Sequence, residues 1–415
     1  MSRKALLICY YFPPLGLSGV ARPLNLFQRL PQLGYECHVL TVKPVAYRAF
    51  EPELLESLDQ SKIFRSGSYD PQRLLYQLGV RTAGEPILKS GRRLSRFFFP
   101  DSKIGWVGPA VRMGRKLIER HAYDVIVSTS PPMSCHLVAQ RLARVSHLPW
   151  VADFRDFWTS LRVEQTFESQ HMVSRGRDFL KSIKREAATI TAVSQSIADY
   201  VGAATVITNG YDPEEAMKWR TPPASDQFRI GLLGTFNDLV SVEPLLKVVA
   251  RLIEKLPAQR ENLQIIQVGQ VDRRWLDAQL DQHQLHGMAV CHGRRPRNRT
   301  VELLSGCSLF YIGLDSKTET SILPGRMFDL LASGRPILAH VPAESEIGRL
   351  VHESGAGYCF QGTDIETAVL WLTDILKRGQ NGSLKIEPLP LKTQIYSWER
   401  IVERFAQVLD KTVNA

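Results

Sequence analysis

The sequence lacks most of the signatures by which a chain declares its chemistry. Its six cysteines, at 9, 37, 135, 291, 307 and 359, form no Cys-x-x-Cys pair and no Cys/His cluster. That argues against a disulfide framework or a zinc site and suits reduced thiols. There is no GxxxxGK[ST] loop, no GxSxG elbow and no HExxH helix; "HESGA" carries Ala356 where the second histidine belongs. There is no Asp-x-Asp pair either: "DFRD" spaces its acids three apart, so the usual acidic metal bridge to a nucleotide diphosphate is missing. No stretch reaches the roughly 18 apolar residues that a spanning helix needs. The N-terminal "MSRKALLICYYFPPLG" is broken by Pro13 and Pro14 and does not read as a signal peptide. Fixed-period repeats and low-complexity tracts are absent too. These absences together lead us to expect a cytoplasmic chain, soluble or peripheral on the inner face of the membrane.

What is present is ordinary globular material. The chain has 415 residues, 44% of them hydrophobic and 23% charged, enough for two domains with a core each. Lys and Arg number 52 against 42 acids, a net charge of +10, which suits a polyanionic partner. No nucleic-acid recognition module is visible, and no nucleic-acid role is expected.

Short apolar runs alternate with helix-like segments. "ALLICYY" (5–11) reads as a buried parallel strand, "FPPLGLSGVARP" as a Gly/Pro loop, "LNLFQRLPQLG" as a helix and "ECHVLTV" (36–42) as the next strand. That is the opening of a doubly wound sheet. "YDVIVSTS", "PWVADF", "ATITAVS" and "ATVITNGYD" extend it. "RTPPASDQF" (220–228) reads as a linker. A second alternation follows, with "RIGLLGTF", "LQIIQVG", "MAVCHG", "SLFYIGL" and "PILAHV" as strands. The expected division is an N-terminal domain over 1–219, a linker at 220–228, a C-terminal domain over 229–390 and a final helix within 391–415.

Several segments could carry chemistry. "GLSGVAR" (16–22) is a glycine loop between strand and helix, either an anion cradle or a tight turn. It is not GxGxxG, and no acid ends the second strand, which argues against a dinucleotide fingerprint. "GLLGTFND" (231–238) places a turn at Gly234 and Thr235 after a strand. "CHGRRPRNR" (291–299) clusters arginines after another strand, and "PWVADFRDFW" brings Asp153, Arg155 and Asp156 to a third. In "SILPGRMFDLLASGRP" (321–336), Pro324 and Gly325 open a short helix; Gly334 and Pro336 close it. Met327, Leu330 and Leu331 recur on one face. Arg326 and Asp329, three apart on another, form either a solvated ion pair or one wall of an anion site. Residues 73–120 hold eleven Lys/Arg against three acids, with "FFF" at 97–99 and Trp106. That region suits either an anionic membrane surface or a solvated insertion with inward aromatics.

In number and order these pieces resemble the retaining glycosyltransferases of family 4, especially the bacterial cell-surface polysaccharide branch that includes lipopolysaccharide enzymes. The resemblance covers most of the chain, from "YYFPPLGLSGVARPLNLFQRL" through "STSPPMSCHLVAQRL" and "VITNGYDPEE" to "LPGRMFDLLASGRPILA". It implies the GT-B architecture: two Rossmann-like domains facing a central cleft, the first taking the acceptor and the second the nucleotide sugar. "YSWERIVERFAQVL" resembles the last helix that crosses back to the first domain. Catalysis would be metal-independent and retaining, with no cofactor beyond the nucleotide-sugar co-substrate, most readily a UDP-sugar. The acceptor would be a lipid-linked or other glycan, with peripheral membrane contact through 73–120.

The resemblance also suggests roles. Asp329 matches the second acid of the family's Glu-x7-Glu motif, which accepts hydrogen bonds from the ribose. The first acid would fall at Ser321, with Glu319 two positions upstream as a substitute. Arg326 matches a cation that neutralises the diphosphate. Leu323, Pro324 and Gly325 would offer backbone to sugar and phosphates, and the Gly234–Thr235 turn joins this donor set. Gly293 and Arg294 match the base-reading position, and Gly19 the N-terminal glycine loop near the donor phosphate. Many members carry His-Asp where this chain has Arg155 and Asp156, so the part that pair plays in catalysis stays open. Two other readings are a nucleotide-sugar epimerase of the same fold and a non-catalytic binding subunit, the latter because of Ser321.

Overall fold

The computed structural model describes residues 2–45, 49–78, 98–156, 170–202, 205–220, 227–236, 241–314, 323–384, 386 and 391–415. They form two units, 1–208 with 399–415, and 209–398. The first is built on a seven-stranded parallel sheet: β1 (Arg3–Ile8), β2 (Tyr35–Val42), β3 (Ile63–Ser66), β4 (Val125–Ser130), β5 (Trp150–Phe154), β6 (Thr189–Ala192) and β7 (Thr205–Val206). Its spatial order is β3-β2-β1-β4-β5-β6-β7. The second has β8 (Phe228–Leu233), β9 (Leu263–Val268), β10 (Ala289–Cys291), β11 (Leu309–Gly313), β12 (Ile337–His340) and β13 (Gly357–Phe360), in the order β10-β9-β8-β11-β12-β13. Each sheet therefore starts in its middle, winds to one edge, then returns and winds to the other. Connections reverse between β1 and β4 and between β8 and β11. In doubly wound sheets the ligand crevice opens at that reversal, beyond the strands' carboxyl ends.

The apolar runs are continuous because both sheet faces are covered. β11 shows this residue by residue. Leu309 and Tyr311 pack into one apolar cluster with Ile230, Leu232 and Leu338. Phe310 and Ile312 pack into another with Met327, Phe328 and Ile337. Successive side chains point to opposite faces, so one strand feeds two cores.

Two strands were not visible in the sequence, β3 and β13. Each has four residues, lies at an edge, and buries only its last residue fully. A half-buried edge strand needs no apolar run, which is the only signal of a buried parallel strand.

The boundary also differs from the sequence reading. Residues 209–219 belong with the second unit, because Trp219 is buried there against Phe310 with ring centroids 5.7 Å apart. Tyr211 exchanges backbone hydrogen bonds with Tyr396 and Trp398 of the same unit. β8 begins at Phe228, inside the expected linker, whose residues 221–226 lie outside the described ones.

The last helix, Trp398–Asn414, contributes its residues from 399 onward to the first unit. Phe405 is buried under the Arg22 guanidinium, Thr412 shares a 2.7 Å hydrogen bond with Thr189, and Asp410 accepts from Arg3 at 2.5 Å.

Candidate functional site

In the second unit three strand ends meet through glycine. Gly234 follows β8, Gly269 follows β9 and Gly293 follows β10. Gly234 N–H donates to Val268 at 2.9 Å, and Gly269 N–H donates to Gly293 O at 2.9 Å. The approach leaves no room for side chains. A Cβ on Gly269, whose φ is +138°, would lie 2.1 Å from Gly234 O. The sequence reading singled out Gly234 and Gly293 but not Gly269, the residue that links them.

Arg326 lies against this junction. A Cβ on Gly234 would stand 2.7 Å from its Nη1. Arg326 starts the helix Arg326–Ala332, whose Met327, Phe328, Leu330 and Leu331 are buried in the core. Burial pushes its pKa down to about 10, with no counter-charge offsetting the loss of water. Among the described residues Arg326 makes no ion pair and no hydrogen bond through its guanidinium. It is a half-buried cation at the β8/β11 reversal with its donors unspent. Seven residues make a weak dipole, so the formal charge dominates this corner. Gly325 caps the helix, with Asn209 Nδ2 3.7 Å from where a Cβ would be. Leu323 and Pro324 are half-buried beside it, Thr235 and Arg294 are exposed, and Glu319 and Ser321 lie outside the described residues.

Asp329 does not pair with Arg326. Arg297, at the start of the helix Arg297–Ser305, takes it bidentately: Nη1 donates to Oδ2 at 2.8 Å and Nη2 to Oδ1 at 2.6 Å. The guanidinium's other edge donates to Glu215, with Nε 2.9 Å from each oxygen. Trp219 lies under it at 5.9 Å. Burial disfavours the Arg297 charge, but the two carboxylates more than offset this and raise its pKa. Of the two alternatives the sequence left open, the i, i+3 ion pair is excluded: the two residues diverge, one to a triad and one to a corner without a partner among the described residues. Sequence reasoning missed Arg297 because it sat within a run of arginines with nothing local to distinguish it.

In the first unit the comparable residues are differently occupied. Arg155, just after β5, donates Nη1 to Gly19 O at 2.5 Å, Nε to Ser130 O at 3.0 Å and Nη2 to Pro131 O at 3.2 Å. It clasps the glycine loop, whereas the sequence placed it among catalytic groups. Asp156 is exposed. Asp153 is fully buried; Arg22 grips it at 2.9 and 2.8 Å, and Thr129 and Thr191 donate to it. Burial raises the carboxyl's pKa, and these donors turn the shift downward. The basic 73–120 region is described in part, and there Phe99 and Trp106 turn inward. Arg73 and Lys103 are buried around Asp70 and Tyr10, Trp106 is buried and Phe99 packs against the core. Residues 79–97 lie outside the described ones.

Residues 19–209 match the Glycosyl transferase 4-like domain family. Solved structures match over both units. Sucrose-phosphate synthase from Thermosynechococcus elongatus has a TM-score of 0.65 at 14% identity, over 99% of this chain and 98% of that one. WaaG, a glycosyltransferase involved in lipopolysaccharide biosynthesis, has 0.58 at 13%, over 98% and 99%. A putative UDP-N-acetylglucosamine 2-epimerase from Listeria monocytogenes has 0.55 at 10%, over 100% and 97%. No curated protein sequence matches the chain. These likenesses establish the GT-B fold, and with the family match they support a glycosyltransferase. Among the described residues no group of three His, Cys, Asp or Glu could hold a metal, and no helix is long and apolar enough to cross a membrane.

Proposed function

We propose that the chain transfers a glycosyl group, with retention and without a metal, from a nucleotide diphosphate sugar to a lipid-linked or other glycan acceptor. Arg326 carries this reading: a half-buried cation whose donors are unspent among the described residues, against the glycine junction and at the reversal where such sheets bind ligands. A diphosphate would supply the missing counter-charge. As the C1–O bond to the β-phosphate breaks, negative charge grows on the departing diphosphate, and a preorganised guanidinium stabilises it. The acceptor hydroxyl attacks C1 from the same face and passes its proton to the leaving phosphate oxygen. Gly234, Gly293 and Arg294 would frame the nucleotide, Leu323 to Gly325 the sugar and phosphates, and Asp329 the ribose. Glu319, Ser321, Thr235, Gly19 and Asp156 keep their expected roles near donor and acceptor, and Arg155 acts by holding the Gly19 loop. UDP is the preferred nucleotide. The reaction would serve cell-surface polysaccharide synthesis on the cytoplasmic membrane face.

Membrane contact would come from a smaller surface than 73–120. Leu74, Leu75, Tyr76 and Leu78 are exposed and precede Arg81, Lys89, Arg92, Arg93 and Arg96 in the sequence.

A thermal-shift screen of nucleotide sugars tests the donor, since bound donor raises the melting temperature. No shift with any UDP- or GDP-sugar would overturn the reading. Incubation with UDP-N-acetylglucosamine and no acceptor would expose an epimerase by its interconverted sugar.

A further inference from the structure

We infer that Arg297 is the positioning residue for Asp329, presenting its carboxylate to the two ribose hydroxyls of the nucleotide; this rests on the reading of Asp329 given above. A carboxylate has about four lone-pair sites. The Arg297 fork takes one on each oxygen, at 2.8 and 2.6 Å. One site on each oxygen is left over, matching two neighbouring hydroxyls that each donate one hydrogen bond. The fork also fixes the carboxylate plane, which a short side chain on a seven-residue helix would not otherwise hold.

Glu215 secures the fork from behind. It accepts from Nε and Nη2, so the guanidinium is pinned along both edges with the Trp219 ring beneath. Glu215 belongs to the helix Pro213–Trp219, Arg297 to the helix Arg297–Ser305 and Asp329 to the helix Arg326–Ala332. One cation thus ties three helices to the carboxylate. Two acids on one base leave the triad at a net charge of −1, which favours neutral hydroxyl donors over a further anion.

The test is calorimetry with UDP or GDP, whichever binds the unaltered chain, and with its 2′-deoxy and 3′-deoxy counterparts. The unaltered chain should bind each deoxy form about tenfold more weakly, the value of one hydrogen bond to a charged group. Asp329→Ala and Arg297→Met should each lose most of that discrimination, and Arg297→Lys should recover part of it. The double variant should be no worse than Asp329→Ala alone, because Arg297 acts through Asp329. Full discrimination in Arg297→Met, with loss in Asp329→Ala, would overturn the inference and leave the ribose reading standing. Full discrimination in Asp329→Ala would overturn both, as would failure of UDP and GDP alike to bind. Should Arg297→Met not fold, Glu215→Leu decides: it leaves the fork on Asp329 but removes the acceptor behind it, so discrimination should fall partway, and unchanged discrimination overturns the inference.

Discussion

Each unit sets an arginine against a glycine turn at the carboxyl end of its sheet. In the first, Arg155 spends its donors on three backbone carbonyls, Gly19 among them, and Arg22 closes on Asp153. In the second, Arg326 rests on Gly234 with no hydrogen-bonding partner among the described residues. The placements are alike and the electrostatics are opposite. A satisfied buried cation contributes to its own unit's fold; an unsatisfied one costs stability unless something else neutralises it. The same placement therefore does not carry the same electrostatics in the two units, and the proposed donor site is the one that would use the unspent guanidinium.

The contrast breaks most sharply at Asp153. Asp153→Ala leaves Arg22 buried without its partner and should cost about 3–5 kcal/mol, read by urea unfolding of the first unit. Arg326→Met should do the reverse, leaving unfolding free energy within about 1 kcal/mol while weakening UDP or GDP binding roughly tenfold to a hundredfold. A large stability loss with unchanged nucleotide affinity would put Arg326 in the same class as Arg22.

Low pH should load the first unit. Burial holds the His136 pKa down to about 3, against about 6.5 unfolded. The unfolded chain then binds the extra proton between those values, so stability falls as pH drops below about 6.5, by about 1.4 kcal/mol per unit from this group. Urea midpoints at pH 7, 6 and 5 measure it, and His136→Asn should flatten the slope. The smallest effect is expected at Arg155→Lys. One ammonium cannot span three carbonyls, so amide exchange around Gly19 should quicken with a stability loss of about 1 kcal/mol. Unchanged exchange would mean the clasp does not hold the loop.

Much of this was legible beforehand. The long central strands could be read because burial on both faces demands unbroken apolar runs, and the helix at 326–332 could be read from its Pro-Gly start and Gly-x-Pro end. β3 and β13 could not, since edge strands leave no such run. Within the candidate site, Gly234, Gly293 and Arg326 could be singled out because each sits at a strand end or helix start. Gly269 and Arg297 were not, because their importance lies in what they touch across sequence gaps of more than twenty residues.

By itself the sequence determined the alternation of strands and helices, the two-unit plan and the positions where strands end, because these follow from local periodicity and from which residues can turn a chain. Only the tertiary structure decided which charges are answered. Arg155, Arg297 and Arg326 are the same residue type, each just past a strand or at the head of a helix. Long-range packing gave the first three carbonyls and the second two carboxylates, and left the third with none among the described residues. Partner choice is set by which carbonyls and carboxylates the folded chain brings within about 3 Å.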